Sequence, residues 1–382
     1  MSQPTIRIGV AGAGPRGRYL ARLYSDHPQC TVTAICDPAR PRAEAAAANL
    51  GRPDIAIFTG FEEMLKAAAL DALVITAPPD IQVDLACAAM ERGIHVTTEV
   101  PAAYSIEQCW NLVRTVEKTG AKYQLSEQTR FWGFIQEWRA MARRGDFGQI
   151  LFAEGEYLHF EAWDYWFDPR TGETYRGSAA PPEGKQVVKT WRHRTFIHPI
   201  YYLPHTLSPL LSITGGRITR VSCMGNRPKS YHVEGLETRD MEIALMHTSS
   251  DTVLRVAAGF TSPHGPRRAT GYHWYQVVGT RCTVEWSRTP SDLPKMWTPT
   301  DGWREVDWGL VPGDVPLHIR QSGHGGADWW PVDAFVGAIL GKGEVSMNVY
   351  DAVETAAPAI LAAESAEEGG ALKEVPDFRR GA

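Results

Sequence analysis

The sequence predicts an α/β chain in two parts: an N-terminal doubly wound parallel sheet, then an α+β part with an open, mostly antiparallel sheet. Three observations predict it. An apolar strand runs directly into a glycine-rich turn near the N-terminus. Strands and helices then alternate to about residue 125, and from about residue 150 several runs alternate apolar with polar residues. The two parts are bounded as 1–125 and 126–382.

Thr5-Ile6-Arg7-Ile8-Gly9-Val10-Ala11 is a short apolar strand signal, followed at once by Gly12-Ala13-Gly14-Pro15-Arg16-Gly17 and a helical pattern from Arg18. That order is the first turn of a Rossmann fold. Gly12 permits the tight turn, Gly14 lets backbone approach a pyrophosphate, and Gly17 allows close helix–strand packing. Pro15 and Arg16 open the helix, whose amino terminus offers N–H groups and a positive dipole end to phosphates. A second strand, Thr31 to Cys36, ends in Asp37, twenty residues after Gly17. A carboxylate there takes the ribose hydroxyls of NAD and repels the 2′-phosphate of NADP. Arg40 and Arg42 stand close enough in sequence to leave NADP tolerance open.

The alternation continues. Ala72 to Thr76 is a buried strand followed by Ala77-Pro78-Pro79-Asp80, and Ile81 to Arg92 is a helix closed by Gly93. Ile94 to Thr98 is a strand, Ser105 to Thr119 a helix closed by Gly120, and Lys122 to Leu125 a further strand. Such sheets bind ligands beyond the carboxyl ends of their strands, which places Gly12, Thr76, Pro78, Glu99 and Glu127 along one cofactor cleft. In the second part, Ile150–Tyr157, Glu242–Met246, Thr252–Ala257 and Tyr275–Val278 read as strands. Residues 160–190, rich in Trp, Pro, Gly and charge without clear period, read as a long loop. Helices over Trp329–Leu340 and Tyr350–Glu367 close the chain.

Composition agrees with an enzyme of two cores: 382 residues, 43% hydrophobic and 22% charged. A net charge of −5 gives no sign of nucleic-acid or anionic-membrane binding. No apolar run is long enough to span a bilayer, and a first strand at about residue 5 leaves no room for a signal peptide. The six cysteines have no paired spacing, so reduced thiols, a cytoplasmic setting and no metal site are expected.

Four further stretches carry a family resemblance: Glu99-Val100-Pro101-Ala102-Ala103 with Cys109-Trp110; Tyr157-Leu158-His159; Tyr202-Leu203-Pro204-His205; and His324-Gly325-Gly326-Ala327-Asp328 with Val349-Tyr350-Asp351-Ala352. With the nucleotide turn, they make the chain resemble the Gfo/Idh/MocA oxidoreductase superfamily over nearly its whole length. Within it, the chain is more similar to the NAD-dependent glycoside hydrolases, typified by family 109, than to the dehydrogenases. A related sugar dehydrogenase carries Glu-Lys-Pro where this chain has Glu99-Val100-Pro101, and its lysine helps move the substrate hydroxyl proton. Val100 weakens the simple dehydrogenase reading while leaving the cofactor in place. The family's helix reads Tyr-Pro-Thr-His-Gly-Leu-Gly-Pro; here Thr206 and Ser208 replace both glycines.

The resemblance implies hydrolysis by transient oxidation at C3 of a sugar, elimination across C1–C2, water addition and re-reduction, with NAD regenerated each turnover. No pair of carboxylates flanking the glycosidic bond is then required, but groups able to pass protons near neutral pH are. By analogy these are Tyr202 and His205, which share a face if the backbone there is helical, although Pro204 can instead mark a first helical turn. Tyr157 and His159 alternate along a strand and join them from one face. Glu127 is expected at the nicotinamide ribose or a substrate hydroxyl. The substrate is expected to be a small imported glycoside. Trp191-Arg192-His193-Arg194 and a second basic run, His264, Arg267, Arg268 and His273, would suit an anionic sugar such as a sulfoquinovoside. The family also implies a homo-oligomer, dimer or tetramer, packed through the open sheet. Two other readings stand beside the hydrolase: a net sugar or cyclitol dehydrogenase using His205 as proton acceptor, and an NAD-binding regulator without catalysis.

Overall fold

The computed structural model describes residues 5–380 except 161–163, 262–264, 267–269 and 314. Contacts divide the chain into two compact units: residues 1–126, 162–195 and 331–353 form one, and 127–161, 196–330 and 354–382 the other.

The first unit is built on a six-stranded parallel sheet of order β3-β2-β1-β4-β5-β6. Its strands are β1 (Ile6–Ala11), β2 (Cys30–Cys36), β3 (Ala56–Phe58), β4 (Ala72–Ile75), β5 (His95–Thr98) and β6 (Tyr123–Leu125). Every residue of β4 is buried, which is why Ala72-Leu73-Val74-Ile75 is apolar without alternation. The crossover helices are α1 (Pro15–Asp26), α2 (Arg40–Leu50), α3 (Phe61–Ala67), α4 (Pro79–Met90) and α5 (Ile106–Thr119). Local chemistry sets their ends. Proline opens α1 and α4 where its missing N–H costs nothing. Ser105 Oγ accepts the Gln108 N–H at 3.1 Å to start α5, and Gly120 at φ 65° ends it.

Residues 160–190, expected as a loop, instead contain a three-stranded sheet of β8 (Asp164–Phe167), β9 (Thr174–Arg176) and β10 (Val188–Lys189), in the order β10-β8-β9. Strands of two to four residues are too short to show a period of two, so the sequence hides them. The sheet belongs to the first unit. The Arg42 guanidinium lies 3.9 Å from the centre of the Phe167 ring and donates to the Gly172 carbonyl at 3.2 Å. The short helix α6 (Arg192–Thr195) ends this insert, where Arg194 donates to Asp80 at 2.5 and 3.2 Å. Residues 331–353 return to the same unit because Gln124, fully buried, donates to the Pro331 carbonyl and accepts the Ser346 N–H. By contacts, residues 162–195 and 331–353 thus group with the N-terminal part.

The second unit carries a nine-stranded sheet of order β17-β16-β15-β14-β7-β13-β12-β11-β18. Its strands are β7 (Ile150–Leu158), β11 (Ile218–Gly225), β12 (Glu242–Thr248), β13 (Val253–Gly259), β14 (His273–Gly279), β15 (Thr283–Glu285), β16 (Lys295–Thr298), β17 (Gly302–Glu305) and β18 (Lys373–Glu374). All its pairings are antiparallel except β13 with β7, which makes the sheet mixed at its centre. The helix Pro204–Thr214 (α7) packs on β7 across Gly155: a Cβ there would meet the Thr206 methyl at 2.3 Å and Leu210 at 3.3 Å. Thr206 thus fills space that Gly155 leaves. This close approach brings the helix bearing His205 against the strand bearing Tyr157.

The Gln124→Leu variant should lose about 2 kcal/mol of stability, the cost of leaving the Pro331 and Ser346 backbone groups without their buried partner. Denaturant unfolding measures it, and an unchanged midpoint would contradict the tie described here.

Candidate active site

The nucleotide turn has the shape its glycines predict. Gly12 sits at φ +97°, and a Cβ there would lie 2.8 Å from the Thr76 carbonyl; a Cβ on Gly17 would lie 1.8 Å from the Gly12 carbonyl. A Cβ on Gly14 would meet nothing within 4 Å, so this face stays open to a phosphate at the start of α1. Pro15 occupies the first helical position, and Arg16 pairs with Glu99 at 2.9 Å. Thr76 Oγ1 donates to the Gly12 carbonyl at 2.7 Å, so it braces the turn. Asp37 accepts the Ala13 and Ala39 N–H groups at 2.8 and 2.9 Å. Each carboxylate oxygen keeps a second acceptor site, so the residues fit a dinucleotide whose ribose hydroxyls donate there. Arg40 pairs with Glu44, and Arg42 is stacked on Phe167 and donates to the Gly172 carbonyl. Pro78 caps α4, Val100 is buried, and Gln82 of α4 donates to the carbonyls of Glu99 and Pro101.

In the second unit the histidines and tyrosines of the sequence reading come together. Tyr157 stacks face to face on His273 at 4.1 Å, meets His159 edge-on at 4.4 Å, and lies 5.3 Å from His205 between ring centres. Tyr202 does not share a helix with His205. It ends a 3₁₀ turn (Pro199–Tyr202), Pro204 takes the first position of α7, and the two rings lie 6.5 Å apart.

His205 is held from both ends. Its ring Nδ1 lies 2.8 Å from Glu127 Oε2. Its backbone carbonyl would normally accept the N–H of residue 209, but that residue is Pro209, inside the helix. The Tyr275 hydroxyl donates to this carbonyl at 2.7 Å instead, and Thr129 shares its single hydroxyl hydrogen between the carbonyl at 2.9 Å and Glu127 Oε1 at 2.6 Å. Glu127 Oε1 also accepts the Thr129 N–H at 2.8 Å. Burial alone would raise the Glu127 carboxyl. The His205 charge and the bonds from His205 and Thr129 outweigh it and hold the carboxyl below its usual range. Glu127, expected at the nicotinamide ribose or a substrate hydroxyl, is fully buried and faces His205 and Thr129.

Two residues of this site were not picked out from the sequence. Thr129 and Tyr275 are ordinary residues whose role depends on a partner far along the chain. His324 and Asp328 were legible as part of a family stretch but not as a pair: His324 Nδ1 faces both Asp328 oxygens at 3.1 and 3.0 Å. The His205 and His324 rings are 6.4 Å apart. Among the described residues, no three His, Cys, Asp or Glu are arranged to hold a metal ion.

The basic residues expected to bind an anionic sugar fare differently. Arg192 lies over Trp191 at 4.7 Å, and Arg194 is paired with Asp80. His273 is buried; burial first and then the charges of His205, His159 and His324 push its pKa well down, and its Nδ1 has no hydrogen-bond partner among the described residues. His264, Arg267 and Arg268 lie outside the described residues.

Fold and site together define an NAD-binding Rossmann unit joined to a sheet unit that carries carboxylate-oriented imidazoles. Residues 6–127 match the oxidoreductase family with an NAD-binding Rossmann fold, and residues 279–382 match the glycosyl hydrolase 109 C-terminal domain. The chain is thus a Gfo/Idh/MocA Rossmann domain combined with a family 109 C-terminal domain. It is 27% identical to a glycosyl hydrolase family 109 protein of Streptomyces coelicolor, over all of this chain and 84% of that protein. It is 26% identical to an alpha-N-acetylgalactosaminidase of Tannerella forsythia, over 100% of this chain and 87% of the other. Among solved structures, scyllo-inositol dehydrogenase from Lactobacillus casei with NAD(H) and scyllo-inositol shares the fold, with TM-score 0.70, 18% identity, and 97% and 99% of the two chains covered. No described helix is long and apolar enough to cross a membrane.

Because His273 is neutral when buried, its folded pKa lies below the unfolded value of about 6.5. Its contribution to stability is present above about pH 6.5 and is lost as pH falls toward the depressed folded value, because the unfolded chain takes the proton first. The His273→Phe variant, which keeps a ring on Tyr157, should flatten the fall in stability between pH 7 and about pH 5, measured by denaturant melts across that range. An unaltered slope would show that His273 is not the titrating group.

Proposed function

We propose that the chain is an NAD-dependent glycosidase that hydrolyses a small glycoside by transient oxidation at C3, elimination across C1–C2, water addition and re-reduction. The observation that carries the reading is the cluster of oriented proton-transfer groups around His205, in a chain whose full-length relatives bear the family 109 name. Bound NAD⁺ supplies a reversible hydride acceptor for C3 of the sugar, taken up at the start of the cycle and returned at its end.

The chain's own residues then move protons. His205, with Nδ1 fixed by Glu127, works through Nε2, and a buried carboxylate beside an imidazole stabilises the imidazolium that forms. Tyr202 and Tyr157 supply phenols beside the same ring. His159, packed against Tyr157 and Tyr272, completes the aromatic wall. General acid–base work of this kind contributes roughly 10²–10⁴-fold. Val100 stands where the related dehydrogenases carry a lysine, which favours hydrolysis over a net sugar dehydrogenase.

Arg194 is neutralised by Asp80 and His273 by burial, which leaves Arg192 and Trp191 as the described support for an anionic sugar. A panel of 4-nitrophenyl glycosides of N-acetyl-α-galactosamine, α-glucose and sulfoquinovose decides the sugar class; equal cleavage of charged and uncharged sugars removes the sulfoquinovoside reading. The chain is also read as a cytoplasmic homo-oligomer. Met224, Leu245 and Val253 are exposed on one sheet face, and light scattering gives the mass that tests it.

His205→Ala and Tyr202→Phe should each cut turnover by at least about 10²-fold while NAD binding, followed by titration calorimetry, stays within a few-fold of the parent. Near-parent rates in both variants would end the assigned roles.

A further inference from the structure

We propose that residues 164–195 form a strap closed over the bound dinucleotide, latched at one end by Arg42 and at the other by Asp80 with Arg194, so that the latches must part for the cofactor to enter or leave. The proposal rests on the Rossmann cofactor site alone and not on the hydrolytic reading. Strap and latches lie wholly within the first unit.

Strand order places the two latches. Helix α2 follows the carboxyl end of β2 and α4 follows that of β4, and in the sheet β1 lies between these strands. The nucleotide turn leaves the carboxyl end of β1, so the first turns of α2 and α4 flank it. Arg42, in the first turn of α2, sets its guanidinium 3.9 Å from the Phe167 ring centre and donates to the Gly172 carbonyl at 3.2 Å. Gly172 is at φ +77°, and a Cβ there would meet Arg42 Cγ at 2.9 Å, so the approach excludes a side chain. Asp80, in the first turn of α4, accepts from Arg194 at 2.5 and 3.2 Å. The Tyr104 hydroxyl lies 3.3 Å from the Arg194 and Thr195 carbonyls, and Gln108 donates to the Asp80 carbonyl at 2.8 Å, which ties this latch to α5. Residues 173–193 therefore run from one flank of the nucleotide turn to the other.

The chain between the latches is built to move as one body. Strand β8 pairs with β9 and with β10, Trp166 opposite Lys189 and Phe167 opposite Val188, and the Thr190 N–H donates to the Tyr165 carbonyl at 3.0 Å. Two buried nitrogens of the strap, Trp166 Nε1 and His193 Nε2, on rings 5.4 Å apart, have no hydrogen-bond partner among the described residues. Buried polar groups in folded chains are nearly always paired, so these two suit a partner that a bound molecule brings. Neither latch uses a cofactor atom. Loosening one therefore raises the open fraction of the strap with or without cofactor, and entry and exit quicken together while affinity stays nearly constant. A residue that merely touched the cofactor would quicken exit alone. In a cycle that passes a hydride to NAD and takes it back, a closed strap keeps NADH in place between the two transfers.

The test follows NADH fluorescence on the full chain by stopped flow, with entry measured on protein stripped of dinucleotide and exit by displacement with excess NAD⁺. Arg194→Ala and Phe167→Ala should each speed both entry and exit about three- to fivefold, the scale of one exposed ion pair or cation–π contact. The double variant should multiply the two effects, because the latches share no partner. The dissociation constant should move by less than about twofold, since opening gates both directions alike. The native cysteines are all buried, so a short bismaleimide can bridge Asp80→Cys and Arg194→Cys selectively. That bridge should slow the exit of preloaded NADH about tenfold or more, a gain that misfolding does not produce. Unchanged rates in both single variants, or faster exit with entry unchanged, would overturn the strap. So would a bridged protein that releases NADH as fast as the unbridged one.

Discussion

A single proline organises the second unit's chemistry. Pro209 cannot donate an N–H, so the carbonyl of His205 loses its helical partner one turn earlier. An unpaired buried carbonyl costs about 1–3 kcal/mol, and the Tyr275 and Thr129 hydroxyls remove that cost by bonding to it. Thr129 also holds Glu127, which faces the His205 ring. The bonds close a loop from backbone to carboxylate to imidazole, so the position of His205 is fixed at both ends. Gly155 makes the loop possible by letting the helix sit close on the central strand.

Burial then sorts the histidines by the chemistry left to them. His273, stacked on Tyr157 and stripped of water, is kept neutral and acts as packing for the reactive rings. His205 is buried too, but a carboxylate lies 2.8 Å from its Nδ1. His324 combines a buried carboxylate with an exposed ring. The first unit needs no such sorting: its glycines and Asp37 only have to admit and orient a dinucleotide.

The Rossmann half was legible because phosphate binding at a helix terminus dictates glycines at fixed spacing, and because a parallel sheet buried on both faces demands unbroken apolar strands. The α+β half was legible in its long strands. It was not legible between residues 160 and 190, where strands of two to four residues carry no period, nor in the return of 331–353 to the first unit, which rests on contacts far apart in sequence such as Gln124 with the Pro331 and Ser346 backbone and His27 with Asp333. Within the site, the sequence marked His205, Tyr202, Tyr157 and His159 through family stretches. It did not show that Glu127 faces a histidine 78 residues later, because that contact is made only by the fold. It placed His273 in a basic run for an anionic sugar and did not show its burial, because charge is visible in a sequence and burial is not. The His324–Asp328 pair lies only four residues apart, but without the left-handed turn that spacing does not announce a dyad.

The central claim is that redox at C3 is transient and serves hydrolysis. The most direct measurement is aglycone release and NADH absorbance followed together on one 4-nitrophenyl glycoside in heavy water. The account predicts aglycone release with no net NADH and deuterium at C2 of the released sugar. Stoichiometric NADH with the glycosidic bond intact would contradict it and make the chain a sugar dehydrogenase.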